Sequence, residues 1–188
     1  AFSGNPTPLM RVVPVGESWE TKLDAIFAYP SQLDTIFRQY VGVGTTREEI
    51  GFGLRNLGLS DEVIRERTAE ALRVFGLAEY AEAPPAVLGF GLRRKVTVAS
   101  VYAMRPPILV LDEPTNGLDR RSSEDLMHLI LGLHGAGHTI LLVTHDMRIV
   151  AEHAPETIVM HEGRVLAQGA TRDILAHARA MHTAHIAP

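Results

Sequence analysis

Asp112 and Glu113 stand side by side, directly after four apolar residues, Ile108 to Leu111, and directly before Pro114. An apolar run that short reads as a buried strand, and the proline stops it. Open α/β sheets bind their ligands outside the carboxyl ends of their strands. Adjacent acids at such an end suit metal-nucleotide chemistry: one carboxylate holds Mg²⁺ through its water shell and the next orients an attacking water. The plain alternative is two solvated acids at a strand end. Thr139 to Val143 repeat the arrangement, an apolar run that closes on Thr144, His145 and Asp146. A histidine there can donate a hydrogen bond to a phosphate or polarise a water, although a strand-end histidine taken alone is more often structural than catalytic.

The elements that must position these groups follow from periodicity and punctuation. Residues 1–19 are rich in Gly and Pro, and Arg11 to Gly16 read as a short edge strand, because Pro14 cannot sit in a central one. Residues 20–42 carry helical spacing at Leu23, Ile26 and Phe27, and again at Leu33, Ile36, Phe37 and Tyr40, without settling their type. Ser60 reads as an N-cap, with Asp61 and Glu62 in the first turn and Ile64, Ala71, Leu72 and Phe75 on one face. A second helix, about Leu92 to Met104, stops at Arg105-Pro106-Pro107. After the acidic pair comes a helix from about Arg121 to His134, with Leu126, Leu129, Ile130 and Leu133 in one stripe. A short helix, Asp146 to His153, leads to two strands, 157–160 and 164–168, joined as a hairpin around Glu162-Gly163. Thr171 opens a last helix that runs to about Met181. The strand–helix alternation over 108–160 predicts parallel strands with right-handed crossovers.

Composition narrows the function. The chain has 188 residues, enough for one core, and a net charge of −4, which argues against a nucleic-acid surface. It has no cysteine, so disulfides and thiolate metal sites are excluded. No apolar run approaches the roughly 20 residues that cross a bilayer, so a membrane role requires a partner. His177, His182 and His185 match no metal-ligand spacing and read as a polar terminus.

The string Leu111-Asp-Glu-Pro-Thr-Asn-Gly-Leu-Asp119 closely resembles the Walker B and D-loop segment of ATP-binding-cassette (ABC) ATPases. That resemblance implies that Asp112 helps hold Mg²⁺ and that Glu113 is the general base or water-orienting residue. It implies that His145, the switch histidine, contacts the γ-phosphate of ATP, and that Asp119 touches a partner subunit. Leu88, Gly89 and Gly91 occupy the place of the ABC signature, LSGGQ, the loop that meets the nucleotide held by the opposite subunit. Here Gly89 stands for the serine, Phe90 for a glycine and Leu92 for the glutamine. The hydroxyl is gone, and a ring stands where close backbone approach is needed.

Segments 47–60, 76–80 and 161–169 resemble the ATP-binding subunits of energy-coupling-factor importers, which serve cobalt, nickel, biotin and other vitamins. The implied fold is α/β, an ABC-ATPase-like P-loop NTPase with a parallel-sheet core. It would form one nucleotide-binding domain over 1–188, missing its phosphate-loop start, with a helical signature subdomain at about 45–105. The implied cofactors are ATP and Mg²⁺. The implied partners are a second ABC ATPase subunit, identical or not, and an integral membrane transport subunit that docks near residues 28–55, with no nucleic acid. Such a subunit is peripheral on the cytoplasmic face of the cell membrane.

One part of that machinery is not in the sequence. The phosphate loop G-x-x-x-x-G-K-[ST] needs a lysine after glycine, yet Lys22 follows Thr21 and Lys95 follows Arg94, and these are the two lysines. Phe2 to Thr7 resemble the connection that follows the Walker A helix in relatives, so the chain reads as starting just past the loop, by truncation or by degeneration. The expectation is poor ATP binding and negligible hydrolysis by this chain alone. The glutamine that senses Mg²⁺ is open among three alignments: one puts Ala28 in its position, one matches Gln39 to Gly42 to the tail of its loop, and one reads Ile36 to Val43 as the strand before a deleted loop, with Gln32 and Gln39 as weak candidates only. A rival reading is a catalytically impaired ABC-like module for dimerisation or docking. A second, an ABC ATPase of DNA repair or chromosome organisation, fits the acidic balance poorly.

Overall fold

The computed structural model describes residues 44–161 and 163–176, and residues 10–13 as backbone. Among these, five strands form one sheet: β1 (Met10–Val13), β2 (Ile108–Asp112), β3 (Thr139–Val143), β4 (Glu156–His161) and β5 (Arg164–Ala170). Their order is β2-β3-β1-β4-β5. The pairings β2·β3, β3·β1 and β1·β4 are parallel, and β4·β5 is antiparallel with a bulge at Val159/Met160. The expected parallel core and closing hairpin are both present. The edge position expected for residues 11–16 is not: β1 lies third of five. Proline removes the ladder donor only at its own nitrogen, so it sets no bar on the four residues Met10 to Val13 that precede Pro14 in the sequence.

The described residues fall into two compact units, 10–13 with 108–114 and 130–176, and 44–107 with 115–129. The first holds the sheet together with α5 (Met147–His153) and α6 (Thr171–Ala176). Leu109, Leu111, Ile140, Leu142, Ile149, Val150 and Val159 are buried there. The buried hydroxyls of Thr157 and Thr171 hydrogen-bond at 2.7 Å, which satisfies two polar groups in that interior.

The second unit contains α1 (Thr46–Asn56), α2 (Asp61–Val74), α3 (Phe90–Ala103) and the start of α4 (Arg120–Gly135). Thr45 and Glu48 begin α1 with a capping box. The threonine hydroxyl accepts from the Glu48 amide at 3.2 Å, and the glutamate accepts from the Thr45 amide at 2.7 Å. Ser60 caps α2 as expected. That helix ends on Gly76, at φ 64°, where the Gly76 and Leu77 amides reach back to Arg73 and Leu72 at 3.1 and 2.8 Å. Ile50, Leu54, Leu72, Phe75, Leu77, Val96 and Ala99 are buried, and the Phe75 and Tyr102 rings meet tilted at 58°, their centres 5.5 Å apart.

Trp19, Ala28, Gln32, Gln39, Glu162 and the three carboxyl-terminal histidines lie outside the described residues, as do the docking segment's first part and the last helix beyond Ala176.

Candidate functional site

Asp112 is the last residue of β2 and pairs in register with Val143, the last residue of β3. The two strands therefore deliver their polar tips at one level. Asp112 is half-buried, with its Oδ1 atom out of solvent. The chain then turns sharply: Glu113 adopts φ 46°, a left-handed conformation that costs a side-chain-bearing residue on the order of 1–2 kcal/mol. Its amide donates to the Val143 carbonyl at 2.8 Å and extends the ladder one residue beyond the strand.

This turn aims the Glu113 carboxylate at the residues that follow β3. Oε1 accepts from the His145 amide at 3.0 Å and lies 2.7 Å from His145 Nδ1, the nitrogen that carries the proton if the ring donates. Oε2 accepts from the Thr144 hydroxyl at 3.3 Å. Glu113 keeps 18% of its side chain exposed, whereas the His145 ring is 70% exposed. Asp146 completes the turn as the cap of α5, accepting from the Arg148 and Ile149 amides at 2.9 and 3.3 Å. The structure thus joins Glu113 to His145, residues 32 positions apart, and adds Thr144, which sequence reasoning did not single out. The signal for Thr144 was its place between an apolar strand and the histidine.

The signature residues and Asp119 lie in the second unit. Leu88 is buried, and Gly89 caps α3 without any side-chain hydrogen bond, so the helix starts with its first amides uncapped by a hydroxyl. Phe90 is 48% exposed, with the Arg93 and Arg94 guanidinium carbons 5.8 and 5.6 Å from its ring centre. A Cβ on Gly117, at φ 76°, would meet the Phe90 ring at 3.2 Å, and one on Gly91 would meet Ser122 Oγ at 2.9 Å. Arg94 donates to the Asn116 carbonyl at 3.1 Å, and burial lowers the proton affinity of its guanidinium. Asp119 accepts from the Ser122 amide at 2.9 Å and its hydroxyl at 3.0 Å, which hold its carboxyl below the usual range. Residues 116–122 and 88–94 are therefore packed on each other.

Chemically, the first cluster can orient a water and accept its proton at Glu113, with His145 able to turn outward to an anion. Asp112 and Glu113 offer hard oxygen donors, the type Mg²⁺ takes. No group of three or more His, Cys, Asp or Glu able to hold a metal gathers among the described residues.

Residues 23–151 match the family model described as "AAA domain, putative AbiEii toxin, Type IV TA system". The chain is 34% identical over 177 residues to the energy-coupling factor transporter ATP-binding protein EcfA of Methanosphaera stadtmanae, covering 92% of this chain and 64% of that protein. It spans from 23% to 64% of the length of the first curated relatives it matches. Among solved structures it superposes on cbiO1 of Clostridium perfringens, part of the ABC transporter complex cbiONQ, with a TM-score of 0.73 and 25% identity over 95% of this chain and 83% of that one. An ATP-binding cassette of an ABC transporter shares the fold, with a TM-score of 0.78 at 18% identity over 96% of this chain and 88% of that one.

Proposed function

The chain belongs to the AAA-type, ATP-binding-cassette ATPase family, and on that premise we propose that it is the ATP-binding part of an importer of the energy-coupling-factor type. One observation carries this reading: Glu113 and His145 are hydrogen-bonded at the tips of neighbouring parallel strands, with Asp112 one residue before. The reaction is attack of water on the γ-phosphorus of ATP, yielding ADP and phosphate. Glu113 orients the water and takes its proton on the carboxylate, while the exposed His145 ring turns to donate to the phosphate. Such a reaction depends mostly on positioning and charge stabilisation. Asp112 would hold Mg²⁺, which supplies charge neutralisation on the phosphates when bound.

Residues 45–105 are assigned to a helical signature subdomain, and Leu88, Gly89, Gly91 and Asp119 to the face that meets a second ATPase subunit. A membrane-embedded subunit would select the cargo, a metal ion or a vitamin, and would hold the chain at the cytoplasmic face of the membrane. No helix among the described residues is long and apolar enough to cross a membrane.

The test is Mg²⁺-dependent phosphate release from ATP by the natural protein that carries this chain. Glu113→Gln and His145→Ala should each lower turnover about 10²-fold or more, the scale of a lost acid–base group. Turnover unchanged by both substitutions would remove the proposal. A second reading, an impaired module that dimerises or docks, is favoured by Gly89 and Phe90, which leave the signature place with no hydroxyl. It predicts a stable dimer or membrane complex with no ATP hydrolysis, measured by light scattering beside the same assay.

A further inference from the structure

We propose that Thr144 is a positioning residue for Glu113, holding its carboxylate in line when His145 turns away to a phosphate; this rests on the ATPase reading above. Thr144 is only 1% exposed, at the first position past β3. Its hydroxyl oxygen accepts from the Asp146 amide at 3.1 Å and lies 3.3 Å from Glu113 Oε2. A hydroxyl has one proton. Because the Asp146 contact is an N–H donated into the oxygen, that proton is left for the carboxylate. Branching at Cβ stiffens χ1, so the hydroxyl is fixed by its packing as well as by its bonds.

The two oxygens of Glu113 are thus held differently. Oε1 depends on His145, through its amide and through a ring that is largely exposed. Oε2 depends on a buried hydroxyl anchored to the cap of α5. When the ring swings to an anion, Oε1 keeps only the amide bond. Without Thr144 the carboxylate could then turn about its last torsion, which is soft, and a base misaligned by even an ångström loses much of its rate advantage. The hydroxyl acts on the reaction through Glu113 and touches no reacting atom.

The experiment compares Thr144→Val, a near-isostere that removes the hydroxyl, with Thr144→Ser, which keeps it. In the natural protein, Thr144→Val should lower kcat about tenfold or more with the KM for ATP changed less than about twofold, because orientation of the base matters in the transition state rather than in substrate binding. Thr144→Ser should stay within about threefold of wild-type kcat on the same reasoning. Wild-type kcat in the valine variant, or a serine variant as slow as the valine one, would overturn the proposal. If the wild-type protein hydrolyses no ATP, the ATPase reading fails by itself. The link between the residues is then judged by urea unfolding of Thr144→Val, Glu113→Ala and the double variant. Coupling of about fivefold or more in the unfolding constant supports it, and additivity overturns it.

Discussion

Glu113 shows how much of the chemistry rests on one backbone torsion. Its φ of 46° is unfavourable for any residue with a Cβ, yet it is what carries the carboxylate from the tip of β2 to the turn after β3. The strain is measurable without any ligand. Glu113→Gly should be more stable than Glu113→Ala by about 1 kcal/mol in urea unfolding, the reverse of the usual order, because glycine adopts that φ without penalty. Away from this site, Glu70 lies between Arg105, 2.8 Å away, and the Tyr102 hydroxyl at 3.2 Å. The Arg105 hydrogen bond pulls its carboxyl below the ordinary value of 4.5. A depressed carboxylate contributes stability above that value and loses it as pH falls through the lower, folded one. Glu70→Gln should therefore be less stable than wild type by about 1 kcal/mol or less at neutral pH, since the pair is well solvated. The gap should close below about pH 4.5, read as unfolding midpoints across that range. The identities and roles of Asp112, Glu113 and His145 were legible in the string and its spacing. Thr144 was not, because a threonine past a strand looks the same whether its hydroxyl faces solvent or a carboxylate.

At the level of elements, most helices were legible because each has a local cause. The helix at 61–74 starts on a serine cap and ends on a left-handed glycine, and the strands at 108–112 and 139–143 are short apolar runs with polar stops. The helix at 46–56 has a local cause as well, since Thr45 and Glu48 carry the T-x-x-E pattern of a capping box. Thr45→Ala should cost about 1 kcal/mol of stability by denaturant melting, typical for a lost cap. Phe75, 1% exposed against Tyr102, was read on the buried face of its helix, and Phe75→Ala should cost about 3–5 kcal/mol in the same measurement. The strand at 10–13 was misplaced for a physical reason. A proline forbids a central ladder position only at its own nitrogen, which leaves the four residues before it unrestricted by the rule.

The molecule as a whole combines an acid-and-histidine cluster suited to ATP hydrolysis with a sequence in which no lysine follows a glycine. Phosphate binding by amides and a lysine accounts for much of the affinity of such sites. The 188-residue chain alone should therefore bind Mg-ATP with a Kd weaker than about 1 mM by calorimetry, a binding free energy of only about −4 kcal/mol. Binding in the micromolar range would mean that other residues replace the loop. Overall class could be read from the chain because parallel strands and crossover helices leave periodic traces. Which strand lies in the middle of the sheet leaves none, since it is decided by partners far away along the chain.

The register of the two strands that meet at Asp112 and Val143 works as a frame of reference for the chemistry. Two neighbouring acids that differ by one methylene are told apart by which rung of the ladder each occupies and by the turn that separates them. A slip by a single residue would hand the shorter carboxylate to Thr144 and His145, and would send the longer one where the metal is expected. A deletion in the strand at 139–143 would therefore scramble the addresses of both acids while leaving every one of those side chains in the protein.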